Sequence, residues 1–136
     1  MKLSNYPILL VAGFILFSFG CKDDDDCTAG TGGDLTLLVS PQHHGMEIYG
    51  QGNYRDTVYI KFNTQEFPGA SPSSYDLIAV GDSGEDHVHI HGLTCGNYYI
   101  YAVGLDTSLN ERVFGGKPFS ITETSGEIVV NIPVTE

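Results

Sequence analysis

The sequence predicts an all-β fold, a small antiparallel β-sandwich of about seven strands, on three observations. Short apolar runs rich in Val, Ile, Leu, Tyr and Phe recur along the chain after residue 33. Clusters of Gly, Pro, Asn, Asp and Ser separate these runs at the spacing of hairpin turns. No segment sustains an apolar period near 3.6, and Pro68, Pro72, Pro118 and Pro133 fall where a helix would otherwise run.

Each run has its own reading. Leu35-Thr36-Leu37-Leu38-Val39 is a short β run that Pro41 is expected to close. Residues 56–62 alternate, with Val58, Ile60 and Phe62 on one face and Tyr59 and Lys61 on the other. Residues 63–74 hold Pro68, Gly69, Pro72 and several serines, the composition of a surface loop. A third run covers residues 75–80. The fourth, His87-Val88-His89-Ile90-His91, alternates strictly. Residues 97–104, 113–121 and 127–132 complete the set.

The first 26 residues speak to location. Lys2, an apolar run from Pro7 to Gly20 and Cys21 at its end form the layout of a secretory signal. A membrane span needs about 20 apolar residues, more than this run supplies. Ser18-Phe19-Gly20 fits ordinary signal cleavage only loosely. The cysteine at the cut site makes the segment resemble a bacterial lipoprotein signal, which implies a diacylglyceryl group on Cys21; Phe19 is bulky for that pattern. Lys22 and the run Asp23 to Asp26 resemble the export signal of Bacteroidota surface lipoproteins, which implies delivery to the exterior of the outer membrane. The alternative is that the acidic run is only a solvated spacer. The expected organisation is a signal peptide over residues 1–20, a lipidated acidic and Gly-rich tether over 21–33, and a sandwich domain over 34–136.

Charge narrows the partners. The chain carries 17 acidic against 6 basic residues, a net charge of −11. Such a surface repels phosphate backbones and anionic lipid headgroups, so nucleic acid is excluded as a partner and membrane contact is expected through the lipid alone. Three cysteines are present. With Cys21 lipidated, Cys27 and Cys95 remain as an even pair in an oxidising compartment and are expected to form a disulfide. Two free thiols, or Cys95 as a nucleophile, are the rival readings.

Val88-His89-Ile90-His91-Gly92-Leu93-Thr94-Cys95-Gly96-Asn97-Tyr98 is similar to the strand, Gly-Leu, Gly-x-Tyr, strand signature of transthyretin-like, collagen-adhesin B-type and carboxypeptidase-regulatory-like sandwiches. The resemblance implies that Leu93 plugs the end of the core, Gly96 makes a tight turn and Tyr98 starts the next strand. It implies an immunoglobulin-like architecture and no particular activity, because such folds host carriers, adhesins and spacers alike.

Chemistry-bearing residues are few. His87, His89 and His91 occupy alternate positions of one strand and share a face. Neighbours in such a row lie about 7 Å apart at the backbone, so two of them could hold Zn or Cu together with Glu85, Asp86 or a facing side chain. The competing reading is a solvated polar face with no cofactor. His43-His44 sits between Pro41 and Gly45, a turn from which only one ring could join the row. Asp82-Ser83-Gly84-Glu85-Asp86 is an acidic turn that offers oxygen to Ca without the spaced ligand set of an EF-hand. Tyr98, Tyr99 and Tyr101, with Tyr49, Tyr54, Tyr59 and Tyr75, supply packing or a platform for a sugar ring. No Gly-x-Ser-x-Gly elbow, His-Glu-x-x-His pair or phosphate-cradling loop is present. The expected function is therefore a non-catalytic surface binding module for a protein or glycan. A metal-binding protein or metal-dependent enzyme built on the histidine row is the alternative.

Overall fold

The computed structural model describes residues 27–136. The expected leader over residues 1–20, the lipidation site Cys21 and the acidic run Asp23 to Asp26 lie outside the described residues. In chain order the strands are β1 (Thr31–His43), β2 (Met46–Glu47), β3 (Thr57–Phe62), β4 (Leu77–Val80), β5 (Val88–Leu93), β6 (Gly96–Asp106), β7 (Glu111–Ile121) and β8 (Ser125–Val134), with one 3₁₀ turn at Pro72–Ser74. They form two packed four-stranded sheets, the β-sandwich that the alternation predicts.

In the first sheet β1 is central. β8 pairs with it on one flank, and on the other β5 lies against its first part and β2 against its end. The second sheet runs β4-β3-β6-β7, antiparallel throughout. The period-2 pattern places Val58 and Ile60 of β3 and Val88 and Ile90 of β5 inward, and with Leu35, Leu37 and Val39 of β1, Ile100 and Ala102 of β6, and Ile132 of β8 they form one core between the sheets.

Four features differ from the sequence reading. There are eight strands, the extra one being the two-residue β2. The β1–β8 pair is parallel, from Asp34 opposite Ser125 to His43 opposite Val134. A parallel pair needs a long crossover rather than a hairpin, and here the rest of the domain is that crossover. Ordered structure also begins before residue 34. Ala29 is buried, and its N–H donates to Asn63 Oδ1 at 3.1 Å, so the Gly-rich stretch joins the fold rather than serving wholly as tether. Finally, Pro41 does not close β1. Its carbonyl accepts from Ile48 N at 3.1 Å, so its missing N–H faces that same flank. There β5 has ended opposite Val39 and β2 begins opposite Gln42, and no ladder donor is needed.

Between β5 and β6 the chain changes sheets across Thr94 and Cys95. Leu93 is fully buried, and the Tyr98 hydroxyl accepts from Gly30 N at 3.1 Å and donates to the Thr94 carbonyl. Gly96 has φ +143°, and a Cβ there would come within 2.2 Å of Ala29 N. Only glycine lets the N-terminal segment cross the corner this closely. Cys27 and Cys95 are joined by a disulfide with Cα atoms 5.0 Å apart, which leaves Cys95 no thiolate for nucleophilic chemistry.

Candidate functional site

The strict alternation of β5 turns Val88 and Ile90 into the core and leaves His89 and His91 exposed, with half-buried His87 just ahead of the strand. The three imidazoles share a face as expected, but they are not an even row. His87 Nε2 and His89 Nε2 converge to 3.0 Å. His91 instead stacks on His89, with ring centroids 5.7 Å apart and planes at 17°, and its Nδ1 lies 3.1 Å from Thr36 Oγ1 of β1. Asp86 Oδ1 lies 2.5 Å from His87 Nδ1. That hydrogen bond holds the Asp86 carboxyl below the usual carboxylate range, against the opposing effect of partial burial.

The acidic turn is pinned to the loop that follows β2. Gly84 N donates to Gly50 O at 2.6 Å, Gly50 N donates to Glu85 O at 3.1 Å, and Gly52 N donates to Ser83 Oγ at 3.1 Å. Ser40, buried in β1, donates to the Asp86 carbonyl at 2.9 Å. A cleft of about 220 Å³ opens beside this turn, lined by Val80, Gly81, Asp82, Glu85, His87 and His89. Glu85, Asp86 and His87 also form a group of potential ligand atoms lying within 4.8 Å of one another.

His43 has a different environment. It closes β1 rather than sitting in a turn, and it is 3% exposed. Its Nδ1 lies 2.8 Å from Asp106 Oδ2 and its Nε2 lies 2.9 Å from Glu136 Oε2. The Asp106 hydrogen bond outweighs desolvation and raises the His43 pKa, with Glu136 adding to the effect. Asp106 is held well below the carboxylate range by His43 and by the turn after β6, where its Oδ1 accepts from Ser108 N at 2.9 Å. A ring donating from both nitrogens has no lone pair to offer a metal. His43 is thus a pin between the end of β1, the β6–β7 hairpin and Glu136 just after β8. His44 is exposed and packs on His43 with centroids 4.1 Å apart, so neither residue is grouped with His87 and His89.

The outer face of the second sheet carries the other candidate. Tyr59 of β3, Tyr99 and Tyr101 of β6 and Phe114 of β7 occupy outward positions, where a sandwich ordinarily presents polar side chains. The segment between β3 and β4 folds over them and adds Phe67 and Tyr75, so this loop is part of the face rather than free of it. Tyr75 stacks on Tyr101 at 5.9 Å and 21°, and Phe67 lies 5.6 Å from the same ring. Burial raises the pKa of Tyr75, Tyr99 and Tyr101, so all three hydroxyls stay protonated. Phe67 and Phe114 remain 53% and 46% exposed.

Three clefts adjoin across this face. One of about 410 Å³ lies over Gly115 and Gly116 between Phe67 and Phe114. It shares Tyr101 and Phe114 with a second of about 430 Å³, bordered by Tyr59 and Arg112. That one shares Val103 and Arg112 with a third of about 240 Å³, which also contains Asn53, Tyr54 and Arg55. The two arginines of the chain therefore line one cleft. Among the described residues neither is paired with a carboxylate, and the ion pairs present use Lys61 and the histidines.

Sequence reasoning found the histidines and most of the tyrosines but missed Phe67, Phe114 and both arginines. Aromatic residues at outward positions of neighbouring strands were the available signal. No protein-family model, curated protein or solved structure matches this chain, so the chemistry of its sites rests on its own residues.

Proposed function

We propose that the chain is a lipid-anchored, surface-displayed, non-catalytic binding module whose ligand is an acidic saccharide chain. The reading is carried by one observation: a chain of three clefts that share lining residues, aromatic at one end, reaches both arginines of a chain whose net charge is −11. Aromatic faces accept the C–H faces of sugar rings, and tyrosine and phenylalanine provide that surface at low rotamer cost. Gly116 keeps the floor of the aromatic end low, since a Cβ there would stand 2.8 Å from Tyr99 Cε1. Arg55 and Arg112 supply planar donors that match a carboxylate and retain their charge across the biological pH range. Elsewhere the acidic domain repels anions, so a uronate-bearing chain is drawn to this groove by local rather than net charge.

Calorimetry on the full chain tests the reading, using an oligouronate and a neutral oligosaccharide of equal length. The uronate is expected to bind more tightly and to weaken as NaCl rises. Arg112→Gln is expected to reduce affinity about 10–100-fold, the range for a lost hydrogen bond to a charged group. Phe114→Ala is expected to reduce it by about 3–10-fold, the range of one aromatic contact. Absence of binding, or affinity unchanged by both substitutions, refutes the saccharide groove; equally tight binding of an acidic peptide reassigns it to a protein partner.

The anchor has its own test. Cys21→Ala is expected to move the protein from the membrane fraction to the soluble one, and equal retention of variant and wild type removes the lipid from the proposal. Replacing Asp23 to Asp26 with Ser is expected to protect the domain from external protease. Unchanged digestion would make the acidic run a spacer only.

A further inference from the structure

The geometry around the start of β5 points to a divalent transition-metal site, separate from the saccharide groove: we infer that His87 Nε2 and His89 Nε2 hold one Zn- or Cu-class ion, with Glu85 as the oxygen ligand and Asp86 as the positioning residue for His87. Two nitrogens bound to one ion at about 2.0–2.1 Å, with angles between square and tetrahedral, stand about 2.8–3.4 Å apart. The two Nε2 atoms are 3.0 Å apart before any ion enters.

Tautomers support the assignment. Asp86 Oδ1 accepts at His87 Nδ1, which places the proton of the neutral ring on Nδ1 and leaves a bare lone pair on Nε2. In the ion-free protein His89 donates its Nε2–H to that lone pair. When an ion binds, His89 gives up this proton and takes one on Nδ1, so both Nε2 lone pairs face the metal with no net change in ring charge. A carboxylate orienting a metal-bound imidazole through its far nitrogen is the usual supporting arrangement.

The backbone that carries the two rings and Glu85 is also held in place. Ser40 fixes the Asp86 carbonyl, and Gly50 bonds to both Gly84 and Glu85. Gly81 allows the end of β4 to approach β5, since a Cβ there would meet Val88 Cγ2 at 3.0 Å. Asp82 and Glu85 line the same cleft as the two rings and give it a negative field that favours a cation. Imidazole nitrogens with a single carboxylate select Zn or Cu over Ca, which prefers an all-oxygen shell. His91 is left out: it stacks on His89 and turns its Nδ1 to Thr36.

This arrangement revises what an evenly spaced row would do. In such a row His89 alone would be essential and either neighbour could substitute for the other. In this geometry His87 and His89 are both essential and His91 is dispensable.

The test is titration of the chelator-treated full chain with ZnCl₂ and CuCl₂ at pH 7.5, with melting temperature followed in parallel. Wild type is expected to bind one equivalent and to melt higher with metal than without. His87→Ala and His89→Ala are each expected to weaken binding at least about 100-fold, and Asp86→Asn about 10–100-fold, the range for loss of an orienting carboxylate. His91→Ala is expected to retain wild-type affinity. Melting in chelator shows whether each variant is folded, and the Cu²⁺ complex is expected to show two nitrogen ligands by electron paramagnetic resonance. Wild type that takes up no metal, or a His91→Ala variant as impaired as His89→Ala, overturns the assignment.

Discussion

Replacing Cys27 and Cys95 together with Ala is expected to destabilise the domain by about 4 kcal/mol, the chain-entropy value for a closed loop of this length. The bond joins residues separated by 68 positions, so the unfolded chain gains a large loop's freedom when it is removed. For a domain of this size that corresponds to a drop in melting temperature of roughly 15–20 °C. The effect is not confined to the unfolded state. The segment after Cys27 is held by Ala29 N on Asn63 Oδ1, Gly30 N on the Tyr98 hydroxyl and Thr94 Oγ1 on the Thr28 carbonyl. Without the covalent tie these bonds must hold the start of β1 unaided. Urea unfolding of the oxidised protein, the reduced protein and the double variant measures the difference. A loss below about 1 kcal/mol, the scale of one net hydrogen bond, would mean that the hydrogen bonds alone hold the corner and that the chain-entropy account fails here.

Asp56→Asn is expected to do the opposite at neutral pH and stabilise the protein. Asp56 precedes β3, is 2% exposed, and has no hydrogen-bond partner for either carboxylate oxygen among the described residues. Gly104 makes room for it, since a Cβ there would stand 2.6 Å from Oδ1. Burial without a partner pushes its pKa up from 3.8 to about 6. The native state therefore holds this proton more tightly than the unfolded chain does. Stability from this group is fully present below the unfolded value of 3.8 and is lost as pH rises through about 6. The penalty at pH 7.5 is about 3 kcal/mol, which the substitution removes apart from the cost of an unpaired amide.

Chemical unfolding of wild type and Asp56→Asn at pH 4.5 and 7.5 checks the sign. The variant is expected to gain most at pH 7.5 and little at pH 4.5. Asp76, Asp86, Asp106 and Glu136 are held low in the folded state, so their stabilisation falls away in acid. Taking the difference between the two proteins isolates Asp56 from them. A stability difference between the two proteins that does not change from pH 4.5 to 7.5 would mean that the buried carboxylate carries no penalty, since the cost of the unpaired amide is the same at both pH values.

Much of the fold was legible because β-structure writes its faces locally. Alternation alone assigned Val58 and Ile60, and Val88 and Ile90, to the interior, and placed His89 and His91 together outside. Cysteine parity, once Cys21 is set aside as the expected lipidation site, was enough to pair Cys27 with Cys95, and the structure shows that bond. The limits of the strands were less legible. Pro41 reads as a terminator in sequence, yet it is tolerated because its missing donor falls in the gap between two partner strands. The parallel β1–β8 pair carries no local signature, since each strand alternates as it would against any neighbour.

The candidate sites divide in the same way. Side-chain direction along one strand is set by the pleat, so the sequence by itself determined that the histidines share a face and that an acidic turn precedes them. It also determined the acidic net charge of −11. Only the tertiary structure decided that His87 and His89 converge while His91 turns to Thr36, because those orientations depend on Asp86 and on a residue of β1. It alone decided that His43 is locked between Asp106 and Glu136 instead of being free in a turn. It alone carried Arg55 and Arg112 to the end of one aromatic groove, because neighbouring strands and their connecting loops are set by register between distant segments, and no period within a segment encodes that register.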